Sequence, residues 1–410
     1  MCPSNSGEPQ GVEVATDDLV VDGVVRKLPD DIQQTAYPAP AVAPPGSFAT
    51  RSIPANLRRL PDATNAIVAL DNFPAVQLQG DLLLVGNKPF VPRAIRFQGE
   101  PFAYLAERGF NAVWLDRAPT VEQTADAKKL GLWFISQPPH PEALAREGLG
   151  QPGDRVIAWY LVDAAIESDP NYARRWADLV REHDSIASRP VIIAPYDNWN
   201  SASKIADVLL ASRAQLGLLS ITDYHEWLVS RSSLVHPGTP FWAHYSTQFG
   251  PTVGRQISAL SGIATVSPNI DARQLRALVH IACTRGVRGF VFHSDSPLNE
   301  SDTATRARAT TLELINRRLQ RLEPWLASGK VIGQYPSSDA AWSACVLHVD
   351  RAQLLIPMAD RTVAKPIAKE IAFVVPGVPE SCQVFALSPV ALKVVPILRV
   401  AGGSRFAVRP

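Results

Sequence analysis

Cysteine is scarce in this chain, with four in 410 residues. Cys2, Cys283, Cys345 and Cys382 lie far apart and form no CxxC pair, so neither a zinc motif nor a dithiol redox motif is expected. Cys283 falls in an apolar helical pattern and reads as a small core residue. Long apolar runs are also missing. None approaches the roughly 18 residues of a spanning helix, so no membrane span is expected. Neither sign of charge dominates, because 40 Lys and Arg face 39 Asp and Glu. Without a concentrated basic stripe, a nucleic-acid partner is not expected. No phosphate loop or dinucleotide fingerprint follows a first strand, so no cofactor is implied. Met1–Asn5 has neither a basic n-region nor an apolar core, and no secretory signal is read there. On that reading the chain either stays in the cytoplasm or lacks its natural start.

What the sequence does contain is an alternation of short apolar runs with amphipathic stretches, over about 240 residues from 88 to 326. The runs are Pro92–Arg96, Asn111–Leu115, Leu132–Ser136, Val156–Val162, Pro190–Pro195, Leu216–Thr222, Thr239–Ser246 and Arg288–His293. They are rich in Val, Ile, Leu, Phe and Trp and show little polar alternation, as strands buried on both faces do. Thr120–Lys129, Asn171–Ala187, Asp271–Arg285 and Thr303–Leu326 read as helices between them. Eight such units predict an α/β fold, a (β/α)8 TIM barrel, over residues 88–328. Chemistry on such a barrel gathers on the loops that follow the strands.

The flanks read differently. Residues 1–87 hold a β-like run at Val12–Val25, a proline-rich linker from Pro38 to Pro61, and short β-like pieces from Asn65 to Leu84. Gly86–Phe90 reads as a turn into the first barrel strand. Residues 329–410 hold short apolar runs between Pro, Gly, Ser and Asp, which predicts an all-β appendage of sandwich type, incomplete at its end. Both ends read as cut, so the chain is taken as part of a longer protein, exported if that holds.

Several phrases carry a family likeness in order along the chain. Asn87-Lys88-Pro89-Phe90-Val91-Pro92-Arg93 precedes the first strand, and Glu107-Arg108-Gly109-Phe110-Asn111 the second. Ala127-Lys128-Lys129-Leu130-Gly131-Leu132 leads into the third, Pro240-Phe241-Trp242 opens the seventh, and Arg285-Gly286-Val287-Arg288-Gly289 leads into the eighth. Together they resemble the barrel of the retaining glycoside hydrolases of clan A, and the family 42 β-galactosidases most of all. The resemblance implies a carbohydrate ligand and two glutamates, after strands four and seven. Here the Asn-Glu pair of the family aligns with Asp163-Ala164. The seventh strand continues Ala243-His244-Tyr245-Ser246, and no Asp or Glu occurs between Glu226 and Asp271. The usual catalytic pair therefore reads as replaced.

Other residues are candidates for that chemistry. Asp163 ends the fourth strand, Glu167 follows it, and Asp295 follows the eighth; these are the catalytic candidates. Asp163 and Glu167 equally suit caps of the helix near Asp169-Pro170-Asn171. Asp223, His225 and Glu226 sit together after the expected sixth strand, where a capping box with Asp223 as N-cap and Glu226 at N3 is the preferred reading over a ligand role. No metal site is expected, since their spacing matches no strong ligand motif. Substrate-contact candidates are Gln98, Glu100, Asp116, Arg117, Tyr196, Asp197, Trp199, Asp223, His225, His244, Tyr245 and His293. Tyr196 and Trp199 are the expected stacking platforms, because sugars present apolar C–H faces to aromatic rings.

Three functions fit this reading. The barrel binds a glycan without the standard glutamate pair. Alternatively, it is a glycosidase with displaced carboxylates, pairing Asp163 or Glu167 with Asp295 or Asp223. As a third reading, it is a scaffold domain of a larger surface protein.

Overall fold

The computed structural model describes residues 76–149, 155–161, 169–184, 189–213, 221–261, 269–338, 342–349, 352–359, 371–376, 384–387, 392–395, 398–400 and 403–408. The Val12–Val25 run, the proline-rich stretch, Asp163, Glu167, Cys2 and Cys382 lie outside them.

Three short strands come first: β1 (Val76–Gln79), β2 (Leu82–Val85) and β3 (Lys88–Pro89). The turn expected at Gly86 is present. Val85 pairs with Lys88 across Gly86-Asn87, and both turn residues have positive φ, 58° and 61°. That is the backbone of a tight I′ hairpin, which Gly and Asn enter at low cost.

Eight parallel strands then close into a barrel: β4 (Arg93–Arg96), β5 (Ala112–Leu115), β6 (Trp133–Ser136), β7 (Val156–Leu161), β8 (Val191–Ile193), β9 (Val208–Ser212), β10 (Phe241–Ser246) and β11 (Phe290–His293). The expected TIM barrel is the observed fold. Seven of the eight strands fall on the runs read from the sequence. The sixth does not: it is Val208–Ser212, and residues 216–220 of the run Leu216–Thr222 lie outside the described residues. Ile221 opens a helix, Ile221–Leu234, that buries Tyr224 and Leu228 four residues apart on one face. The connection before β9 carries only a four-residue helix, Trp199–Ala202. No long amphipathic pattern therefore marks where the sixth strand begins, and two neighbouring apolar runs compete for it.

Alternation along the strands divides their side chains into two layers. Ala94, Ala112, Trp133, Ala158, Ile192, Val208, Leu210, Trp242 and Val291 fill the interior, together with Val76 and Leu83 of the β1–β2 hairpin. The hairpin thus closes one end of the barrel. Ile95, Val113, Phe134, Trp159, Ile193, Leu209, Ala243, Tyr245 and Phe292 face outward onto the helices. Small residues on three strands leave room for the indoles of Trp133 and Trp242 at interior density. Gly289 belongs to this packing, since a Cβ there would lie 2.6 Å from the Trp242 ring.

Helix starts follow ordinary capping. Thr120 and Gln123 form a capping box for Val121–Leu130. Asp169 caps Pro170–His183 through Asn171 N at 2.9 Å, so the cap that Asp163 or Glu167 was expected to supply comes from Asp169 instead. Asp271 and Asp302 cap Ala272–Thr284 and Thr303–Ser328.

Beyond the last helix lie further antiparallel sheets. One joins β12 (Lys330–Pro336), β13 (Trp342–Val349) and β14 (Ala352–Ala359). A second joins β15 (Ile371–Val375), β18 (Leu398–Val400) and β19 (Gly403–Val408), and β16 (Val384–Leu387) pairs with β17 (Leu392–Val395). The last strand is paired on both sides, by β15 and β18. Cys345, Leu347, Ile356 and Met358 join the same core as Ile281, Ala282 and Cys283 of the barrel's helix layer. Burial pushes the Cys345 thiol up to about 11 and raises Cys283 further, so both are neutral apolar groups there. Among the described residues no helix is long and apolar enough to cross a membrane.

Ion pairs tie the closed end together. Arg288, 7% exposed, donates to Asp81 Oδ2 at 2.8 and 3.0 Å and to the carbonyls of Leu326 and Gly329. Arg93 pairs with Glu323 at 2.7 Å. Replacing Arg288 by Met strands two carbonyls, and it is expected to cost about 3 kcal/mol. Asp81→Asn, at a half-exposed carboxylate, should cost less than about 1 kcal/mol. Gly289→Ala should cost roughly 1–3 kcal/mol by forcing the Trp242 ring to move. Urea unfolding midpoints of the whole chain check all three, and an unchanged midpoint for Gly289→Ala would show that this indole is not held by its packing.

Candidate functional site at the barrel mouth

The site assembles where the strands end, opposite the hairpin. Inward positions toward that end include Arg96 on β4, Trp114 on β5, Tyr160 on β7, Ser212 on β9, His244 and Ser246 on β10 and His293 on β11. Trp114 and Tyr160 meet edge to face at 4.3 Å between ring centroids and form an aromatic floor. The His244 ring stands 5.9 Å from Trp114 and 5.8 Å from His293. Its Nδ1 lies 2.8 Å from Ser212 Oγ, which fixes the ring and points Nε2 elsewhere.

Above the floor runs a chain of charges. Arg96 donates from Nη2 to Asp116 Oδ2 at 2.9 Å, while its Nη1 lies 3.3 Å from His293 Nε2. The same His293 Nε2 lies 3.1 Å from Asp295 Oδ1. The pair Arg96–Asp116 is open to solvent, with side chains 36% and 60% exposed. Burial, followed by the charges of His293 and Arg96, holds the His244 pKa down at about 3. His293 is lowered too, by burial first and then by Arg96, against the opposing pull of Asp295 and Asp116. Both imidazoles are therefore neutral at pH 7.

The sequence candidates divide into three sets. Asp116, His244, His293 and Asp295 come together at the mouth. Asp163 and Glu167 lie outside the described residues. The others are placed elsewhere or do other work. Glu100 is buried, 1% exposed, and its carboxylate accepts from Gln98 N and Leu298 N at 2.9 Å each. Gln98 donates to Ser294 O at 2.7 Å. This pair staples the loop after β4 to the loop after β11, and a buried carboxylate already satisfied by two amides is a structural anchor. Tyr245 is on the wrong face: it lies wholly buried in the helix layer, bonded to Leu278 O at 3.2 Å and Tyr224 Oη at 3.1 Å. Strand alternation requires this once His244 points inward.

Trp199 is not a stacking platform. It is 1% exposed, packs on Trp227 and Phe241, and donates to Tyr196 O at 3.2 Å. Tyr196 itself is 74% exposed, and Asp197 lines a shallow dish of about 150 Å³ with Asn198, Asn200, Ser201 and Leu234. Arg117 is exposed, and its carbonyl accepts from Ser136 Oγ at 2.9 Å. Asp223 and His225 ride in the first turns of Ile221–Leu234 rather than at a strand end, because the sixth strand lies earlier. Asp223 there is inside the first turn, where a negative charge suits the helix dipole, and not at the N-cap.

Sequence reasoning missed Arg96, Trp114, Tyr160, Ser212 and Gln248. Gln248 accepts from Asp295 N at 2.8 Å and from Ser294 Oγ at 3.3 Å, which holds the loop bearing Asp295. Counting every second residue from Ala94 inward would have found Arg96, and the same count finds Trp114 and Tyr160. Ser212 was hidden by the misplaced sixth strand.

No family model and no curated protein matches the chain. Among solved structures, the chain is similar to a variant of AmyP in complex with maltotriose, at 10% identity and a TM-score of 0.51, over 78% of this chain and 95% of that one. AmyP in complex with maltose is similar over 75% and 86%, at 10% identity and a TM-score of 0.48. A β-glucuronidase of Bacteroides uniformis follows at 11% identity and a TM-score of 0.41, over 82% and 48%. The likeness is one of fold alone, a (β/α)8 barrel shared at 10% identity.

The suppressed imidazoles set a pH dependence of stability. His280, on Ala272–Thr284, is also held down at about 3 by burial and by Arg318 and Arg276. An unfolded histidine titrates near ~6.5. Between that value and about 3 the unfolded chain binds protons that folded His244 and His280 refuse. Stability is therefore full above the unfolded value and declines as the pH falls below it. Melting temperatures measured across that range should drop toward acid, and His280→Gln and His244→Gln should each make the drop shallower. If neither substitution changes the slope, these rings are not the acid-sensitive groups.

Proposed function

We propose that this glycoside-hydrolase-like barrel binds a carbohydrate at its mouth and lacks the glutamate pair of retaining hydrolysis. The observation that carries this reading is the seventh strand. It turns His244 inward, and no carboxylate occurs from there to Asp271. Retaining hydrolysis needs two carboxyl groups roughly 5 Å apart, one of them as the attacking group. A neutral imidazole held by Ser212 offers a hydrogen bond in that place instead. Around it, Arg96, Asp116 and Asp295 supply the planar polar groups that pair with sugar hydroxyls, over the Trp114–Tyr160 floor.

Affinity electrophoresis of the whole chain through soluble polysaccharides tests the reading, with an α-glucan first because a similar barrel was solved with maltotriose. Retardation without release of reducing ends is the expected result. Asp116→Ala and Asp295→Ala should each weaken binding by roughly tenfold, the loss expected of one charged hydrogen bond. Release of reducing ends that Asp163→Ala, Glu167→Ala or Asp295→Ala abolishes would overturn it in favour of a glycosidase with displaced carboxylates. If no polysaccharide retards the chain, the barrel is a spacer rather than a binding module.

A further inference from the structure

We propose that His293 is a proton-controlled selector at the mouth. When neutral it accepts an N–H from Arg96 and leaves the Asp295 carboxylate to the ligand; when protonated it donates to Asp295 and releases Arg96.

The geometry carries this. One ring nitrogen, His293 Nε2, lies 3.3 Å from a donor, Arg96 Nη1, and 3.1 Å from an acceptor, Asp295 Oδ1. A ring nitrogen presents either a lone pair or an N–H in its plane, never both, so the two contacts exclude each other. Both competitors are held in reach from outside. The other arm of Arg96 is fixed on Asp116 Oδ2 at 2.9 Å, and the backbone of Asp295 is fixed by Gln248 Oε1 at 2.8 Å. Neither has to travel for the ring to change partner. The Asp295 side chain is 50% exposed, so it reaches a ligand when the ring does not claim it.

The charged and titratable groups that face the ring come from each neighbouring element. They are Arg96 on β4, Asp116 after β5, His244 on β10 and Asp295 after β11, with the charge of Arg308 acting on Asp295 from Thr303–Ser328. Burial and Arg96 lower the pKa of His293, while the two carboxylates pull it back. The change of partner therefore falls on the acid side of neutrality. With His293 neutral, the group of Arg96, Asp116 and Asp295 carries one formal negative charge, and an acceptor stands open toward sugar hydroxyls. Protonation cancels that charge and occupies the acceptor with a charge-assisted bond. Glycan binding should then weaken in acid, a consequence that rests on the reading of the mouth as a carbohydrate site.

The experiment separates the two. Imidazole ¹⁵N shifts of the ¹⁵N-histidine-labelled whole chain, with no glycan present, report which nitrogen of His293 carries the proton. Near about pH 7.5 an unprotonated Nε2 is expected, with titration below ~6.5, the ordinary histidine value. Arg96→Gln should raise the midpoint and Asp295→Asn should lower it. Two results overturn the selector: an Nε2–H already present near neutrality, or a midpoint indifferent to both substitutions. The polysaccharide that retards the chain most is then run at about pH 7.5 and about pH 5, where binding should weaken about fivefold or more. The His293→Gln variant should lose that dependence. Retardation that is equal at both pH values also overturns the proposal. Failure to bind any polysaccharide removes the glycan-site reading and leaves the ¹⁵N result to decide the selector.

Discussion

Everything in this barrel depends on the two-residue alternation of its strands. In a closed parallel barrel each side chain points either into the interior or out to the helices, and a shift of one residue exchanges the two. His244 and Tyr245 show how sharply this acts. They are neighbours in sequence, yet one lies in the mouth against Ser212 and His293 while the other is sealed among Leu278, Tyr224 and Phe292. The same alternation brings Arg96 inward and sends Ile95 to the helix layer. Identity of residue decides what chemistry is available. Parity decides whether it arrives.

This explains which parts of the molecule were legible in the sequence. The barrel was legible because strands buried on both faces need near-continuous apolar runs, and seven of the eight stand out against amphipathic helices. The sixth did not, since Val208–Ser212 is followed closely by another apolar run and preceded by only one short helix. Asp223 and His225 follow the competing run and lie in a helix, whereas Ser212 ends the strand itself. Within the other strands, nearness to the end does not by itself separate Tyr245, which faces the helices, from Arg96, which faces the mouth; parity does. Glu100 and Trp199 mark a different limit. A polar or aromatic side chain after a strand looks alike in sequence whether it meets ligand or anchors a loop. The partners of Glu100 and Trp199, Leu298 N and Phe241, lie 198 and 42 residues away. Only the closed fold brings them together.

The electrostatics of the mouth follow from burial together with the charge of Arg96. Burial opposes protonation of both imidazoles first, and Arg96, standing where β4 ends, adds to it. Two carboxylates, Asp116 and Asp295, partly offset it from the solvent side. His244 is the more deeply buried of the two imidazoles, and among the described residues its hydrogen-bond partner is Ser212. Depth thus sorts the two histidines. His244 is a fixed neutral group, and His293, with a carboxylate beside it, is the one whose proton responds to surroundings.

The two ends of the barrel use the same residue types for opposite purposes. At the closed end, Arg288 and Arg93 are 7% exposed, and the Arg288 guanidinium is matched by a carboxylate and two carbonyls. Breaking such a buried set leaves polar groups that water cannot reach, so it is costly and the arrangement is fixed. At the mouth, Arg96–Asp116 is open to water, and a pair of that kind contributes on the order of 0–1 kcal/mol. So small a contribution cannot be what keeps these groups together for stability, and it is small enough for a ligand hydroxyl to replace either partner. The hairpin, Arg288 and the packed indoles make the barrel rigid from below. That rigidity holds Arg96, His244 and His293 in position while their own bonds stay weak enough to exchange.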